Sequence, residues 1–475
     1  MKRHRILISG ILLLSFYCGF TQTAAWKGIW QGRLQAGISL RLVFHLQQDQ
    51  QGSWSALMDS PDQGVTNIPC KVEWITDDSL ALNIPSIKGS LNVRKINDSS
   101  LQGTWQQGVR LPLLLQRAAI AWQASRPQTP QPPFPYRSDS VIIKSAATGL
   151  RYGASICYPA GKGPHPALLL ISGSGPQNRD EELLGHKPFA VLADYLCRRG
   201  YIVLRADDRG TGQSSGDFSL ANTADFCSDA EAQLDWLRKQ PEVDTARVGV
   251  LGHSEGGLIA AILASQDKGV SFIILMAAPG IAIDSLMAEQ NKALLLSSGI
   301  ADPAAASYAA FYKRTVSACA TAPNRDSAYQ LLVRQFQHWK ERVPKAYSIS
   351  TTGVYDGQSL NRWASAMVNQ LYTPWFRYFI QLDPASYLQK ISCSVLAING
   401  SRDLQVPAIS NLQGIRKALE KSAAKNYELK ELEGLNHLFQ ECHSCRINEY
   451  GSLEESISPK ALELISDWLA RNMTE

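Results

Sequence analysis

The sequence predicts an α/β protein: a mostly parallel sheet flanked by helices, with an inserted helical cap, preceded by a small all-β domain. Three observations lead there. Apolar runs such as "PALLLISGSG", "YIVLRADDRG", "RVGVLGHS", "SFIILMAAPG" and "SVLAINGSRD" alternate with stretches of helical periodicity, as strands covered on both faces do. Upstream, apolar residues recur at every second position in short runs separated by turn residues. Between the two patterns, "QASRPQTPQPPFPY" (Gln123 to Tyr136) carries five prolines, which exclude a helix or an inner strand. The 475 residues also exceed one ordinary domain.

In chain order, Lys2, Arg3 and Arg5 precede the apolar "ILISGILLLSFYCGF", and small residues follow in "TQTAAW". This is the pattern of a secretory signal over residues 1–25, with cleavage near Ala25 and export to the periplasm or beyond. The run falls short of the roughly 20 residues of a membrane span, and no other segment reads as one, so no stable membrane insertion is expected. Phe16 and Tyr17 before Cys18 argue against a lipid anchor. Cleavage removes three of the 47 basic residues and no acidic one, leaving 44 against 42. That balance gives no basic footprint for nucleic acid.

Residues 26–122 read as an antiparallel sandwich or barrel. Leu40, Leu42, Phe44 and Leu46 in "SLRLVFHLQ" carry the strand period, and "CKVEWI", "LALNIP", "GSLNVRKI" and "LQGTWQQG" repeat it. Trp26, Trp30, Trp54, Trp74 and Trp105 are expected in its core; no partner of this domain can be read from it. Residues 123–136 form the expected semi-rigid spacer. The α/β domain then runs over 137–475. It has helices ending near Arg199-Gly200, within Ala224–Gln240, from Glu255, near Asn411–Lys421 and over Pro459–Arg471. Residues of about 281–391 have helical character without a strong strand and are expected to cap the carboxyl edge of the sheet, where such folds bind ligands.

The chemistry candidates gather at that edge. Gly252-His253-Ser254-Glu255-Gly256 is a G-x-S-x-G between an apolar strand and the helical "LIAAILA". A serine on such a turn is held in strained geometry with its Oγ exposed. Side chains at Gly252 and Gly256 would collide across the turn, and Gly257 lets the helix pack close. Serine needs a base and the base an orienter, in the chain order serine, acid, histidine. Asp403 follows a strand end in "VLAINGSRDLQVP", whereas Asp383 in the cap and Asp467 in the last helix are poorly placed. His437 and His443 alone follow Asp403, and His437 in "LEGLNHLFQ" occupies the loop after the last strand. The oxyanion donors are expected to be the backbone N–H groups of Glu255 and of Ser174 in "GSGPQNRD", with Gly175 the alternative to Ser174. The Glu255 carboxylate suits the first turn of a helix; contact with a substrate amine is the lesser reading. Asp208 and Arg209 are expected to pair and brace "DDRGTGQSSGD", which has no G-K-[ST] and is no phosphate loop. Eight scattered cysteines remain after cleavage. Cys442 and Cys445 suit a local disulfide in an exported chain, and zinc there would lack two ligands. No metal or cofactor is expected.

"ISGSGPQNRD", "DDRGTGQSSGDF", "GHSEGG", "GSRDLQVP" and "LNHLF" together resemble the exported α/β-hydrolases of the bacterial carboxylesterase and serine-aminopeptidase-like group. They stand in that group's order over about residues 137–475. The resemblance implies an α/β-hydrolase fold, the triad Ser254, Asp403 and His437, and oxyanion donors on Ser174 and Glu255. "MDSPDQG" and "GTWQQG" resemble the β domain that precedes such hydrolases in some Gram-negative bacteria, whose role the resemblance does not imply. The cysteines after "LNHLFQ" depart from the plain polar loop of that group. The function expected is hydrolysis of a small-molecule carboxylic ester through an acyl-enzyme on Ser254. An aminopeptidase or amidase acting on a short peptide with the same triad is the alternative, with Glu255 or Asp356 as candidate ammonium ligands. A non-catalytic exported binding protein is opposed by the intact triad.

Overall fold

The structure is a computed structural model that describes residues 26–36, 39–122, 125–266, 269–424 and 426–472. The expected export signal, 1–25, lies outside them. The chain divides into two compact units, Met1–Ala124 and Ser125–Glu475.

The first unit is a closed barrel of β1 (Gly28–Gln35), β2 (Ser39–Gln48), β3 (Trp54–Ser60), β4 (Val65–Ile75), β5 (Ser79–Ile84), β6 (Gly89–Asn97), β7 (Ser100–Gln107) and β8 (Val109–Ala118). Each strand pairs antiparallel with the next, and β8 returns to β1 through Ile29–Ala118 and Gln31–Gln116. Closure leaves no sheet edge exposed. Leu42, Phe44 and Leu46 point inward with Trp30, Leu91, Trp105 and Leu113, and these side chains fill the interior. Trp26, Trp30 and Trp105 are buried as expected and Trp54 packs partly, but Trp74 is 47% exposed. The cause is a register shift between Val72 and Trp74. An extra residue there reverses the alternation, so Val72 and Ile75 face the core and Trp74 faces out.

The second unit is an eight-stranded sheet of β9 (Arg137–Lys144), β10 (Arg151–Tyr158), β11 (His165–Ile171), β12 (Ile202–Ala206), β13 (Val243–His253), β14 (Phe272–Met276), β15 (Ser394–Gly400) and β16 (Tyr427–Leu432), ordered β16-β15-β14-β13-β11-β12-β10-β9. From β12 to β16 all neighbours are parallel; β10 runs antiparallel to β12 and β9. In β11, Leu168 and Leu170 pack toward α1 (Pro188–Cys197) and α12 (Pro459–Asn472), while Ala167, Leu169 and Ile171 pack toward α2 (Thr223–Arg238) and α3 (Glu255–Ser265). Both faces are covered, which is why the strand reads as an unbroken apolar run. Between β14 and β15 stand α4 (Ile283–Ser297), α5 (Asp302–Ala320), α6 (Arg325–Lys340), α7 (Lys345–Thr352), α8 (Gly357–Leu371), α9 (Pro374–Phe379) and α10 (Ala385–Leu388). They form the helical cap. After β15 and before β16 lies α11 (Ala408–Leu419).

The proline-rich segment differs from the expected spacer. From residue 125 it belongs to the second unit. The Arg126 guanidinium donates to the carbonyls of Leu184, Gly451 and Leu453, Gln128 binds the backbone of Ser456 and Ile457, and the Tyr136 hydroxyl donates to Asp194. Prolines offer no N–H to a sheet, so polar side chains make the attachment instead.

Phe44 packs inside the barrel against Trp105 with ring centroids 6.4 Å apart. Phe44→Ala is expected to destabilise the barrel by about 3–5 kcal/mol, read as an earlier transition in urea; an unmoved midpoint would contradict a packed interior.

Candidate active site

Chain order places β12 on one side of β11 and β13 on the other. The crevice of such a sheet opens where the winding reverses, here at the carboxyl ends of β11 and β13. The segments after these two strands are "SGSGP" and Ser254.

Ser254 turns from β13 into α3 with φ 54° and ψ −121°, a left-handed conformation that costs a non-glycine residue energy and persists only when the surroundings enforce it. The surroundings do. The Ser254 N–H donates to the Met276 carbonyl at 2.8 Å. A side-chain carbon at Gly252 would stand 2.0 Å from the Gly256 carbonyl oxygen, and one at Gly256 would stand 2.2 Å from that of Ile171. Glycine at both positions lets the turn close against the end of β11.

Asp403 lies just past β15. Its Oδ1 accepts the N–H groups of Gln405 and Val406 at 2.7 and 2.9 Å, and its Oδ2 faces His437 Nδ1 at 2.8 Å. His437 stands in the loop after β16, held by Asn436, whose Oδ1 accepts the N–H groups of Leu438 and Gln440. Both Asp403 and His437 are buried. Asp383 and Asp467 are exposed, as is His443. The structure thus brings Asp403, His437 and Ser254 to one place. Ser254 and His437 line the same cavity of about 280 Å³. Among the described residues the Ser254 hydroxyl has no direct hydrogen bond, a looseness common before substrate binds.

Ser174 and Gly173 line the same cavity, and a side-chain carbon at Gly173 would lie 3.1 Å from Ser254 Cβ. The Gly173 N–H is taken by Glu181 Oε1 at 2.8 Å. Among the described residues no protein group takes the N–H of Ser174 or Glu255. The latter is one of the unsatisfied donors at a helix start. The Glu255 side chain is not a solvated dipole partner. It is buried and accepts from Ser174 Oγ, Thr223 Oγ1 and Trp375 Nε1. Its carboxyl is raised above the usual range by burial, against the pull of those donors.

Sequence reading missed Glu181 and His253. His253 Nδ1 faces Glu181 Oε1 at 2.8 Å and Nε2 faces the His437 carbonyl at 3.0 Å. Both partners accept, so the ring satisfies both by donating from each nitrogen, as an imidazolium. Burial works against that charge, but Glu181 and the His437 carbonyl raise the pKa above the usual histidine value. One ion pair thereby joins the loop after β11, the turn after β13 and the loop after β16. No sequence signal marked Glu181; its only cue was its place seven residues after Ser174.

The expected Asp208–Arg209 pair does not form. Arg209 turns to Asp229 at 2.6 Å and Asp225 at 3.5 Å on α2, while Asp208 accepts from Ser172 Oγ and the Gln177 N–H. Adjacent side chains in an extended turn diverge, so each finds a partner across space. Asp207 instead holds Arg179. Burial pushes the Asp208 carboxyl up to about 7; beside it lies a cavity of about 30 Å³, of water size. Of the aromatics on α9, Trp375 and Phe379 line the cavity, whereas Phe376 is buried elsewhere and Tyr378 is exposed. Asp356 caps α8 and lies outside the cavity. Cys442 and Cys445 form a disulfide, and the other described cysteines are buried.

A sheet of this order, a strained serine after its fifth strand and a cap before β15 define an α/β-hydrolase. The family described as X-Pro dipeptidyl-peptidase (S15 family) matches residues 148–421, more than half of the chain, and the chain belongs to that family. Esterase EstD of Thermotoga maritima is 26% identical over 283 residues, covering 60% of this chain and 57% of that esterase. The chain therefore spans little more than half the length of this relative. An uncharacterized 31.7 kDa protein of Escherichia coli is 30% identical over 143 residues, 29% of this chain and 47% of its own length. Among solved structures, the alpha/beta hydrolase GrgF from a Penicillium species is 17% identical, covering 71% of this chain and 100% of that one with a TM-score of 0.43. The family match and the esterase relative agree with the α/β-hydrolase fold of the second unit.

Two outcomes follow from the geometry. Gly256→Ala sets a methyl against backbone, which cannot yield as a side chain does; a loss of at least about 3 kcal/mol in denaturant unfolding is expected. The native state keeps the Asp208 proton to about pH 7, whereas the unfolded chain releases it near 4. Stability from this group therefore falls as pH rises between those values. Asp208→Asn removes the penalty, and its stability advantage over wild type is expected to grow by about 2 kcal/mol from pH 5 to pH 8. An advantage independent of pH would refute this.

Proposed function

We propose that the chain hydrolyses carboxylic esters with an uncharged acyl group, through an acyl-enzyme on Ser254. Ser254 Oγ attacks the carbonyl carbon. His437 Nε2 takes its proton while Asp403 holds the Nδ1–H and steadies the imidazolium. The backbone N–H groups of Ser174 and Glu255 receive the oxyanion. His437 returns the proton to the leaving alkoxide oxygen. Water, deprotonated by the same ring, then releases the acid and frees Ser254.

The observation that carries this reading is the state of the carboxylates around the cavity. Glu181 is engaged by His253 and Gly173, Glu255 by three side-chain donors, and Asp403 by His437 and two N–H groups. An aminopeptidase needs a carboxylate for the substrate ammonium, and the one carboxylate among the described lining residues, Glu181, is already engaged through Oε1. Beside the uncharged amides of Gln177, Gln290, Gln370 and Gln405, the walls carry Leu286, Met287, Trp375, Phe379, Val406 and Leu438, which suit a neutral acyl chain. Family membership favours a second reading, an aminopeptidase releasing X-Pro dipeptides with the same triad.

Two substrate pairs separate the readings. The p-nitrophenyl ester of N-acetylalanine is expected to be cleaved at least as well as that of free alanine, and X-Pro anilides poorly. A preference of about tenfold or more for the free amine would establish the aminopeptidase. Ser254→Ala is expected to abolish fluorophosphonate labelling, and Asp403→Asn and His437→Gln to lower kcat by about 10³–10⁴. A wild-type protein that neither labels nor turns over would instead leave a binding protein.

Export is proposed as well. The basic–apolar–small pattern of residues 1–25 and the Cys442–Cys445 disulfide support it. Sequencing the amino terminus of the mature protein is expected to find it near Trp26.

A further inference from the structure

Glu255 follows the nucleophile directly, yet its side chain points away from solvent into a junction of three separate segments. Ser174 Oγ, from the loop after β11, donates to Oε2 at 2.7 Å. Thr223 Oγ1, at the start of α2, donates to Oε1 at 2.7 Å. Trp375 Nε1, on cap helix α9, lies 3.0 Å from both oxygens. A carboxylate at a helix start needs only the helix dipole and remains in water at little cost. Withdrawing it from water costs several kcal/mol unless donors replace the solvent, and here each donor comes from a different element. A structure that only required an acid at the first turn has no use for this arrangement.

The geometry points to a further role: the Glu255 carboxylate is a positioning group that couples the cap to the oxyanion-binding N–H groups, and Trp375 is the cap's side of that coupling. This rests on the triad and oxyanion assignments proposed above. Two of the three linked residues, Ser174 and Glu255, are the ones whose backbone N–H groups receive the oxyanion. An indole N–H shared between both oxygens fixes the plane of the carboxylate. That plane fixes where the Ser174 hydroxyl rests, and with it the rotation of the Ser174 peptide. Trp375 also stacks on Phe379 with ring centroids 5.1 Å apart and an interplanar angle of 18°, and both rings line the cavity with Ser254 and His437. An acyl group in the cavity therefore touches the ring whose N–H orients the oxyanion site. Substrate fit in the cap is transmitted to the chemical step and not to binding alone.

The test is a double-mutant cycle on the mature full chain with a p-nitrophenyl ester. Ser174→Ala keeps the backbone N–H and removes one tie; Trp375→Phe keeps the stacked ring and removes another. Each is expected to lower kcat by about tenfold with KM changed by less than about twofold, because the lost interaction acts in the transition state. Affinity for a boronic acid that mimics the tetrahedral intermediate is expected to fall in parallel. The double variant is expected to lose little more than either single variant, since one broken tie already frees the Ser174 peptide. Glu255→Gln, which sets an amide NH₂ against the incoming donors, is expected to match the double variant and serves if Trp375→Phe does not fold. Independent losses that multiply to about a hundredfold, or losses confined to KM, overturn the coupling. Absence of turnover and fluorophosphonate labelling in wild type overturns the underlying hydrolase mechanism instead, so the two failures are distinct.

Discussion

The carbonyl oxygens of Ile171 and Ser172 lie where a side-chain carbon of residue 256 would come within 2.2 and 2.5 Å of them. That contact between the end of β11 and the start of α3 is the constraint on which the rest of the site depends. It brings the loop carrying Ser174 beside the turn carrying Ser254, and it forces Ser254 into a backbone conformation a serine does not choose alone. With α3 drawn in, Ser174 and Ser254 line the same cavity. A larger residue at 252 or 256 would open the turn and move Ser254 away from the loop after β11.

Buried charge supplies the second level of order. Asp403, Glu181 and Glu255 are each withdrawn from water, and each recovers the loss through donors from other segments. Asp403 ties the loop after β15 to the loop after β16. The Glu181–His253 pair ties the loop after β11 to the turn after β13 and to the backbone of His437. Glu255 ties that same loop to α2 and the cap. Such groups are costly when unpaired, so each carboxylate tolerates few alternative arrangements of the loops around it. The site is held by satisfied polar groups on top of an apolar sheet, which positions them but does not itself specify their angles.

Legibility in the sequence followed the range of the interaction. Strand and helix periodicity, the prolines, and the glycines around Ser254 act over a few residues, so they were visible as patterns. Asp403 and His437 stand out as candidates because their chain order and strand-end positions are constrained by the sheet. The sequence places Trp74 in the core, but a single-residue register shift in β4 turns it outward. Asp208 and Arg209 were paired because they are adjacent, whereas each found its partner across the fold. Residues 123–136 read as a spacer because prolines dominate the pattern, whereas from residue 125 polar side chains fasten the segment down.

By itself the sequence determined the α/β alternation, the strained serine turn, the chain order and strand-end positions of Ser254, Asp403 and His437, and the all-β unit ahead of them. These follow from periodicity and from steric demands within a few bonds. Tertiary structure alone decided that the β unit closes into a barrel. It also placed His253 as a charged strut beside Glu181, and it buried the Glu255 carboxylate under Trp375 rather than leaving it at a solvated helix end. The physical reason is common to all three. Closure, ion pairing and burial depend on which distant segment comes into contact, and a hydrogen bond spanning 120 residues of chain, such as Trp375 to Glu255, leaves no local pattern in the sequence at either end.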